Sequence, residues 1–130
     1  MEEKEHIQQE YEAFLQEVLN NREIWFLEND DGMACQNALE HEDRMSILFW
    51  SNGMQAENER AEEFEHLEAH SLSLYELIFQ WLPNMAEEQV VCGLNWNADD
   101  GGLEVEPLDL LKHLKLILPV ELQQEYRNRT

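Results

Sequence analysis

Apolar residues recur every three or four positions near both ends of the chain. Near the N-terminus this spacing predicts an amphipathic helix over about residues 4–20. Towards the C-terminus, Pro107 stands where the first turn of a helix tolerates proline, and leucines follow it on a single face. We expect that helix to end before Pro119, which begins a short, frayed tail that can itself be helical.

Two further helices are predicted in the middle of the chain. A thin apolar stripe of Met54, Ala61 and Phe64 predicts the first, which runs through about residue 64. The second begins at Ser73-Leu74-Tyr75-Glu76, which has the form of a capping box. Its residues are apolar on almost every side, so we expect it to be the enclosed central helix and to end at Pro83.

Shorter apolar runs predict a small sheet of about five strands. Asp31-Gly32 separates the first two runs, which indicates a hairpin. The run that contains Ser46 is otherwise apolar on both faces, as a central, doubly covered strand is. Tight turns with helices before, between and after the strands predict an α+β fold with a mainly antiparallel sheet, in a single domain over residues 1–130. The runs are Ile24–Leu27, Met33–Cys35, Met45–Trp50, Val90–Trp96 and Leu103–Val105, with a short extended piece at His66–His70.

Residues 95–106 resemble a calcium-binding loop in the spacing of their acidic and amide residues. Such a loop needs glycine at its sixth position and an apolar residue at its eighth, where this chain has Asp100 and Gly102. An Asp-Gly-Gly sequence between two apolar runs is typical of a β-turn, because glycine adopts positive φ without strain. We therefore predict a hairpin here and no calcium site.

Charge is the outlying property of the composition. Eight Lys and Arg against 29 Asp and Glu give a net charge of −21, whereas a small domain carries a magnitude of about 2–8. This field repels phosphate backbones and anionic lipid, so we expect no direct binding to nucleic acid or membrane. It attracts cationic proteins, and less strongly at high salt. Alternatively, the acids form a solvated coat that serves solubility alone.

The cysteines and the N-terminal residues suggest the compartment. Met1-Glu2-Glu3-Lys4-Glu5 lacks the basic and apolar regions of a signal peptide, and no apolar run is long enough to span a membrane. Cys35 and Cys92 lie far apart without a C-x-x-C motif. We expect both to be buried as small hydrophobes, and the protein to be cytoplasmic.

No motif for catalysis, for a cofactor or for a metal ion stands out. Two Glu-x-x-His pairs, Glu3…His6 and Glu63…His66, resemble part of the di-iron pattern of helical bundles. Predicted strands interrupt the chain, however, and glutamate is abundant enough for such pairs to occur by chance. We therefore predict no catalytic, cofactor-binding or metal-binding residue and no cofactor.

Four tryptophans divide into two pairs. Trp81 and Trp96 fit core positions, whereas Trp25 and Trp50 lie on strands with two apolar faces, where each is either core or part of a binding patch. An exposed aromatic ring among carboxylates suits a basic protein whose arginine stacks on it. The candidate partner-binding residues are Trp25, Trp50, Glu57, Glu59, Glu62 and Glu63.

Six short motifs occur together in a recognisable order. They are Tyr11-x-x-Phe14, Trp25-x-Leu27 before Asp31-Gly32-x-Ala34, Phe49-Trp50-Ser51, Ser73-Leu74 leading to Trp81-Leu82-Pro83, Gly93-x-Asn95-Trp96, and Glu104-Val105-x-Pro107-x-x-Leu110. Over about residues 7–115 the chain resembles the bacterial domain-of-unknown-function family numbered 2750. The resemblance implies a small, acidic, single-domain protein and carries over no catalytic residue. One departure is Glu87-Glu88-Gln89, where a member often has Asp-Gly, which leaves the turn type there open.

Three hypotheses for function follow. The preferred one is a non-enzymatic interaction or regulatory protein that binds a basic partner, as an immunity protein binds a toxin or a DNA mimic binds a nucleic-acid-binding protein. The second is a small-molecule or metal-dependent enzyme whose pocket combines Glu104 or Glu106 with His70. The third is that the acidic coat serves solubility alone.

Overall fold

Helices and strands follow one another much as the apolar spacing predicts, and the α+β class is confirmed. The computed structural model describes residues 2–40, 43–97 and 102–129, without the side chains of residues 2–7, Glu62, Tyr126 and Arg129. The helical segments are α1 (Glu2–Asn21), α2 (Gly53–Glu63), α3 (Leu74–Glu76), a π-helical turn (Leu77–Trp81), α4 (Leu82–Glu87), α5 (Pro107–Leu116) and α6 (Val120–Arg129). The strands are β1 (Glu23–Asn29), β2 (Gly32–Met33), β3 (Cys35–Asn37), β4 (Met45–Phe49), β5 (Glu68–Ser73), β6 (Val91–Leu94) and β7 (Leu103–Val105).

The strands form two sheets rather than the single sheet predicted. One has the order β2-β1-β5 and the other the order β3-β4-β6-β7. The cause is a strand that changes partners at Ala34: its N–H donates to Leu27 O on β1 at 2.8 Å, and its carbonyl accepts from Leu48 N on β4 at 3.1 Å. Pairing is antiparallel everywhere except between β4 and β6, so the mainly antiparallel character is confirmed.

A pair of tryptophans joins the two sheets. Trp25 on β1 and Trp50 just after β4 form an antiparallel bridge, in which each main-chain N–H donates to the other's carbonyl at 2.8 and 2.9 Å. β4 is an inner strand, as its two apolar faces predict, since β3 and β6 flank it. The bridge therefore ties the central strand of the three-stranded sheet to an inner strand of the four-stranded sheet.

The core consists of two apolar clusters. The larger contains residues from α1, β1, the helical residues 74–87, β6 and α5. The smaller lies between the sheets and α2 and comprises Leu27, Ala34, Leu48, Trp50, Ala56 and Leu67. Side chains of β4 alternate between them, because successive residues of a strand point to opposite faces. No helix within the described residues is both long enough and apolar enough to cross a membrane.

The central helix continues past Pro83, so the predicted end there was wrong. Proline normally stops an α-helix because it lacks an N–H and its ring collides with the carbonyl four residues back. Immediately before Pro83 the helix widens to π geometry, and Leu82 N–H donates to Leu77 O, five residues back. We infer that this change of hydrogen-bonding register accommodates the proline.

Both ends of the central helix are capped. Ser73 Oγ accepts from Glu76 N at 3.1 Å, which confirms Ser73 as the N-cap. Glu76 reaches back, but its Oε1 accepts from the Ser73 hydroxyl at 3.1 Å, whereas a full capping box uses the Ser73 backbone N–H. At the other end Gln89 has a φ of 61°, and Val90 N donates to Met85 O at 3.0 Å, as in a Schellman motif. Gln89 thus occupies the left-handed position that glycine usually takes.

The predicted apolar stripe of α2 was wrong at Met54 and Ala61, although Phe64 packs against the smaller apolar cluster. Met54 is 78% exposed and Ala61 is also exposed, whereas Ala56 is fully buried. Small residues face the sheet because the Trp25 indole fills the space: a Cβ at Gly53 would lie 2.9 Å from that ring. Asn52 caps the helix by accepting from Gln55 N at 2.8 Å.

Close packing between β4 and β6 generates the first prediction. A Cβ at Gly93 would lie 2.7 Å from Ser46 Oγ and 2.8 Å from Leu48 Cδ2. Overpacking of a core costs about 1–3 kcal/mol. We expect Gly93→Ala to lower the free energy of unfolding by that amount, measured by urea denaturation.

Ser46→Ala is the matched control. Ser46 Oγ is buried and has no hydrogen-bond partner among the described residues, so its removal alone should leave stability unchanged or raise it. In the Ser46→Ala background, Gly93→Ala should cost less, because the closest contact is gone. An equal loss in both backgrounds would contradict this account.

Candidate functional site

The end of α2 and the beginning of β5 carry a concentration of exposed carboxylates. Glu63, Glu65 and Glu68 are all exposed, and Glu28 on β1 lies directly opposite Glu68 on β5. We call these four residues the acidic edge. Like charges directly opposite each other on paired strands destabilise a sheet, so this surface holds an electrostatic cost that the fold itself does not remove.

Within the described part of the chain, no lysine or arginine pairs with Glu28 or Glu68. Glu68 Oε2 lies 3.7 Å from His70 Nε2, a contact that is ionic only when the histidine is protonated. Between residues 28 and 109 the chain has 20 acidic residues and only two cations, Arg44 and Arg60. The stretch of chain that contains the acidic edge is therefore strongly negative.

Both arginines of this stretch are engaged in internal contacts. Arg60 Nε donates to Glu57 Oε2 at 2.8 Å, and its Nη1 donates to the Glu65 carbonyl at 3.3 Å. Arg44 forms a two-pronged pair with Glu106, whose second contact is 3.0 Å, and it donates from Nε to the Gln89 carbonyl at 2.7 Å. The hydrogen bond to Glu106 raises the pKa of Arg44.

The predicted partner-binding residues do not share one surface. Trp50 is fully buried and donates from Nε1 to the Trp96 carbonyl at 2.8 Å, so its assignment to a binding patch was wrong. Trp25 is half-buried under Gly53. The glutamates are distributed around α2: Glu57 and Glu63 are exposed, Glu59 is half-buried, and the Glu62 side chain lies outside the described residues.

The alternative pocket of Glu104 or Glu106 with His70 is not assembled. Glu104 accepts from the backbone N–H groups of Leu39 and Glu40, the latter at 2.8 Å, and so holds the loop before β4. Glu106 forms an ion pair with Arg44. His70 lies in the other sheet, with its ring centroid 5.9 Å from that of Phe26.

The structure gives no support to the metal motifs. Among the described residues there is no group of three or more His, Cys, Asp or Glu that could hold a metal ion. The pair Glu3…His6 and the turn residues Asp99 and Asp100 lie outside the described side chains. The strands flanking that turn, β6 and β7, pair antiparallel, as the predicted hairpin requires.

Asn95 takes part in a partly buried polar cluster that sequence reasoning missed. Its Oδ1 accepts from Ser51 N at 2.9 Å, and its left-handed backbone (φ 49°) suits asparagine. Ser51 Oγ donates to Glu17 Oε1 at 2.7 Å, and Asn52 Nδ2 donates to the same oxygen at 2.8 Å. The cluster thus ties α1 to the ends of β4 and β6, and its role is architectural.

A groove of about 550 Å³ lies between α1 and α5. The Tyr11 hydroxyl lies 2.7 Å from His113 Nδ1 in its wall. Burial, then the charges of Asp109 and Cys92, raise the pKa of Tyr11 to about 12, so the phenol is neutral at physiological pH. Glu12 contributes a carboxylate to the lining of the groove, and most of the exposed lining is apolar. The groove was not predicted from the sequence. The signal that could have indicated it is His113, a histidine on the apolar face of α5.

The comparisons agree with the motifs of the sequence. A family model described as a protein of unknown function (DUF2750) matches residues 11–114, which extend from α1 into α5. No curated protein matches the chain significantly. Two of the motifs, Phe49-Trp50-Ser51 and Gly93-x-Asn95-Trp96, meet in the structure through the Ser51–Asn95 and Trp50–Trp96 hydrogen bonds.

The two cysteines differ in environment, which makes them testable. Cys35 is exposed, so its predicted burial was wrong, while Cys92 is buried. Burial, and then the charge of Glu106, raise the pKa of Cys92 from 9.0 to about 12. We expect one thiol per native chain to react with a thiol reagent and Cys35→Ser to abolish that reaction.

The raised pKa of Cys92 also predicts a dependence of stability on pH. Above pH 9.0 the Cys92 thiol loses its proton in the unfolded chain but keeps it in the native protein. The free energy of unfolding should therefore fall as pH rises past that value.

The opposed carboxylates of β1 and β5 predict a coupling that can be measured. Glu28→Gln and Glu68→Gln should each raise the free energy of unfolding by about 0.2–1 kcal/mol at low salt, because each removes the same repulsion. The double variant should gain less than the sum of the two, and salt should shrink the coupling. Urea denaturation provides the measurement. Strictly additive gains, or equal coupling at all salt concentrations, would contradict the repulsion.

Proposed function

We propose that this chain, which belongs to the DUF2750 family of proteins of unknown function, is a non-enzymatic protein-interaction or regulatory module that binds a basic protein through its acidic edge. The partner is a cationic protein such as a toxin that it neutralises, or a nucleic-acid-binding protein whose DNA it mimics. The module acts in the cytoplasm, where its two free cysteines stay reduced.

The observation that carries this proposal is the unneutralised pair of Glu28 and Glu68. The two carboxylates oppose each other across β1 and β5, and a solubility coat does not require this arrangement. A lysine or arginine of a partner placed between them would remove the repulsion and add attraction. Binding would therefore recover stability that the free protein lacks.

The charge of the whole molecule supports the same class of partner. A net charge of −21 accelerates encounters with cationic proteins and slows those with polyanions. Arg44 and Arg60 are engaged in ion pairs within the protein, so they do little to attract an anionic ligand. We accordingly expect no direct binding to nucleic acid or to anionic membranes.

The test compares two variants that carry the same reduction in charge. In one, Glu63, Glu65 and Glu68 are changed to glutamine. In the other, the exposed residues Glu12, Glu87 and Glu88 are changed. We expect a basic protein to be captured from lysate at low salt by the wild type and by the second variant, and to be lost with the first, as quantified by mass spectrometry.

The salt dependence and the paired variants separate the alternatives. Loss of capture at high salt is expected, because screening weakens exposed ion pairs. Equal weakening by both variants would indicate attraction by net charge alone, and would contradict a specific role of the acidic edge. No salt-sensitive partner under any condition would favour the solubility hypothesis.

A further inference from the structure

The hydrogen bonds of Trp25 determine which way the main chain of β5 points. Trp25 N–H and C=O both bond to Trp50, so they face away from β5 although Trp25 is opposite Ser71. In an antiparallel ladder, bonded and non-bonded pairs alternate. Trp25–Ser71 is therefore a non-bonded pair, and the bonded pairs are Ile24–Leu72 and Phe26–His70. Leu74 N, which donates to Arg22 O at 2.9 Å, continues the same alternation.

It follows that the N–H and C=O groups of Ala69 and Ser71 point outward from β5. β5 is the edge strand of its sheet, Ser71 is exposed and Ala69 is half-buried. No hydrogen bond within the described part of the chain engages the main-chain groups of these two residues. Such a row of unpaired groups is a template for a further strand.

We propose that an extended, cationic segment of the partner adds to the outer edge of β5 as an antiparallel strand. The inference rests on the proposed function and specifies how the partner binds. The strand pairs with the main chain of Ala69 and Ser71. Charge complementarity selects its residues, because Glu68 lies within the pairing strand and Glu63 and Glu65 lie just before it.

The two faces of β5 specify an alternating sequence for this segment. Glu68 and His70 project from one face, and Ala69 and Ser71 from the other, because side chains alternate along a strand. Ala69 belongs with Phe64 to the half-buried margin of the smaller apolar cluster. The added strand therefore places lysine or arginine beside Glu68, and an apolar side chain beside Ala69 and Phe64.

A second copy of this chain is a poor occupant of the same edge. Pairing of β5 with β5 would bring the acidic residues of two copies together, and like charges across a strand pair are destabilising. Charged residues on an edge strand are a common means of preventing self-association. The same carboxylates that oppose self-pairing favour a cationic strand.

A peptide of defined charge separates strand addition from simple attraction. The probe is a capped peptide of alternating lysine and valine, about eight residues long. N-methylation of its valines removes the N–H groups that face β5, whereas N-methylation of its lysines removes the outward ones and leaves the charge unchanged. We expect the valine-methylated peptide to bind about tenfold or more weakly than the other two, measured by calorimetry at low salt.

The protein variants provide the reciprocal test. Ser71→Pro removes one outward N–H without removing a ladder hydrogen bond, and edge strands tolerate proline at such positions. Ser71→Ala keeps the N–H. We expect about a tenfold loss of peptide affinity for Ser71→Pro and none for Ser71→Ala. If Ser71→Pro does not fold, hydrogen exchange of the wild type decides, since the Ala69 and Ser71 amides should become protected on binding.

The outcomes separate the two proposals. Equal affinity for all three peptides, or binding without protection of these amides, overturns strand addition and leaves charge attraction intact. Failure of all three to bind at low salt overturns the proposed function as well. A wild-type dimer in sedimentation that Ser71→Pro dissociates would assign the edge to a second copy and overturn the proposal.

Discussion

The bridge between Trp25 and Trp50 is the interaction on which the rest of the structure depends. Two main-chain hydrogen bonds join the sheets there, and the buried Trp50 ring extends the joint to β6 by donating to the Trp96 carbonyl. The same bridge orients Trp25, against which Gly53 and the start of α2 pack. It also directs the outward main-chain groups of β5. A contact deep in the fold thus decides what the protein presents at its surface.

The surface around this core is predominantly negative, and the repulsion between its charges is not the same at every position. Most acidic side chains reach into water, where repulsion between exposed charges is screened within about 10 Å. Glu28 and Glu68 differ because pairing of β1 and β5 holds them opposite each other. The unpaired outer edge of β5 lies beside Glu68. The coincidence of a repulsive pair and an open edge is what favours recognition over solubility alone.

Local chemistry was predictable wherever the interacting residues are close in the chain. The N-cap at Ser73, the hairpin at Asp31-Gly32 and the helix start at Pro107 are confirmed because each depends on a few adjacent residues. Pro83 shows the limit: a π-helical turn before it changes the hydrogen-bonding register, and propensity does not predict that. The exposure of Cys35 was likewise not predictable from local sequence, since it depends on the chain passing from one sheet to the other between β2 and β3.

The sequence by itself determined the α+β class, most of the helices and strands, the family and the negative field, because periodicity, turn chemistry and charge are properties of the chain. Only the tertiary structure decided which surface those charges share. It buried Trp50, distributed the glutamates around α2, and placed Glu28 opposite Glu68. Residues 40 positions apart meet only when strand register is established, and register follows from the packing of the whole core.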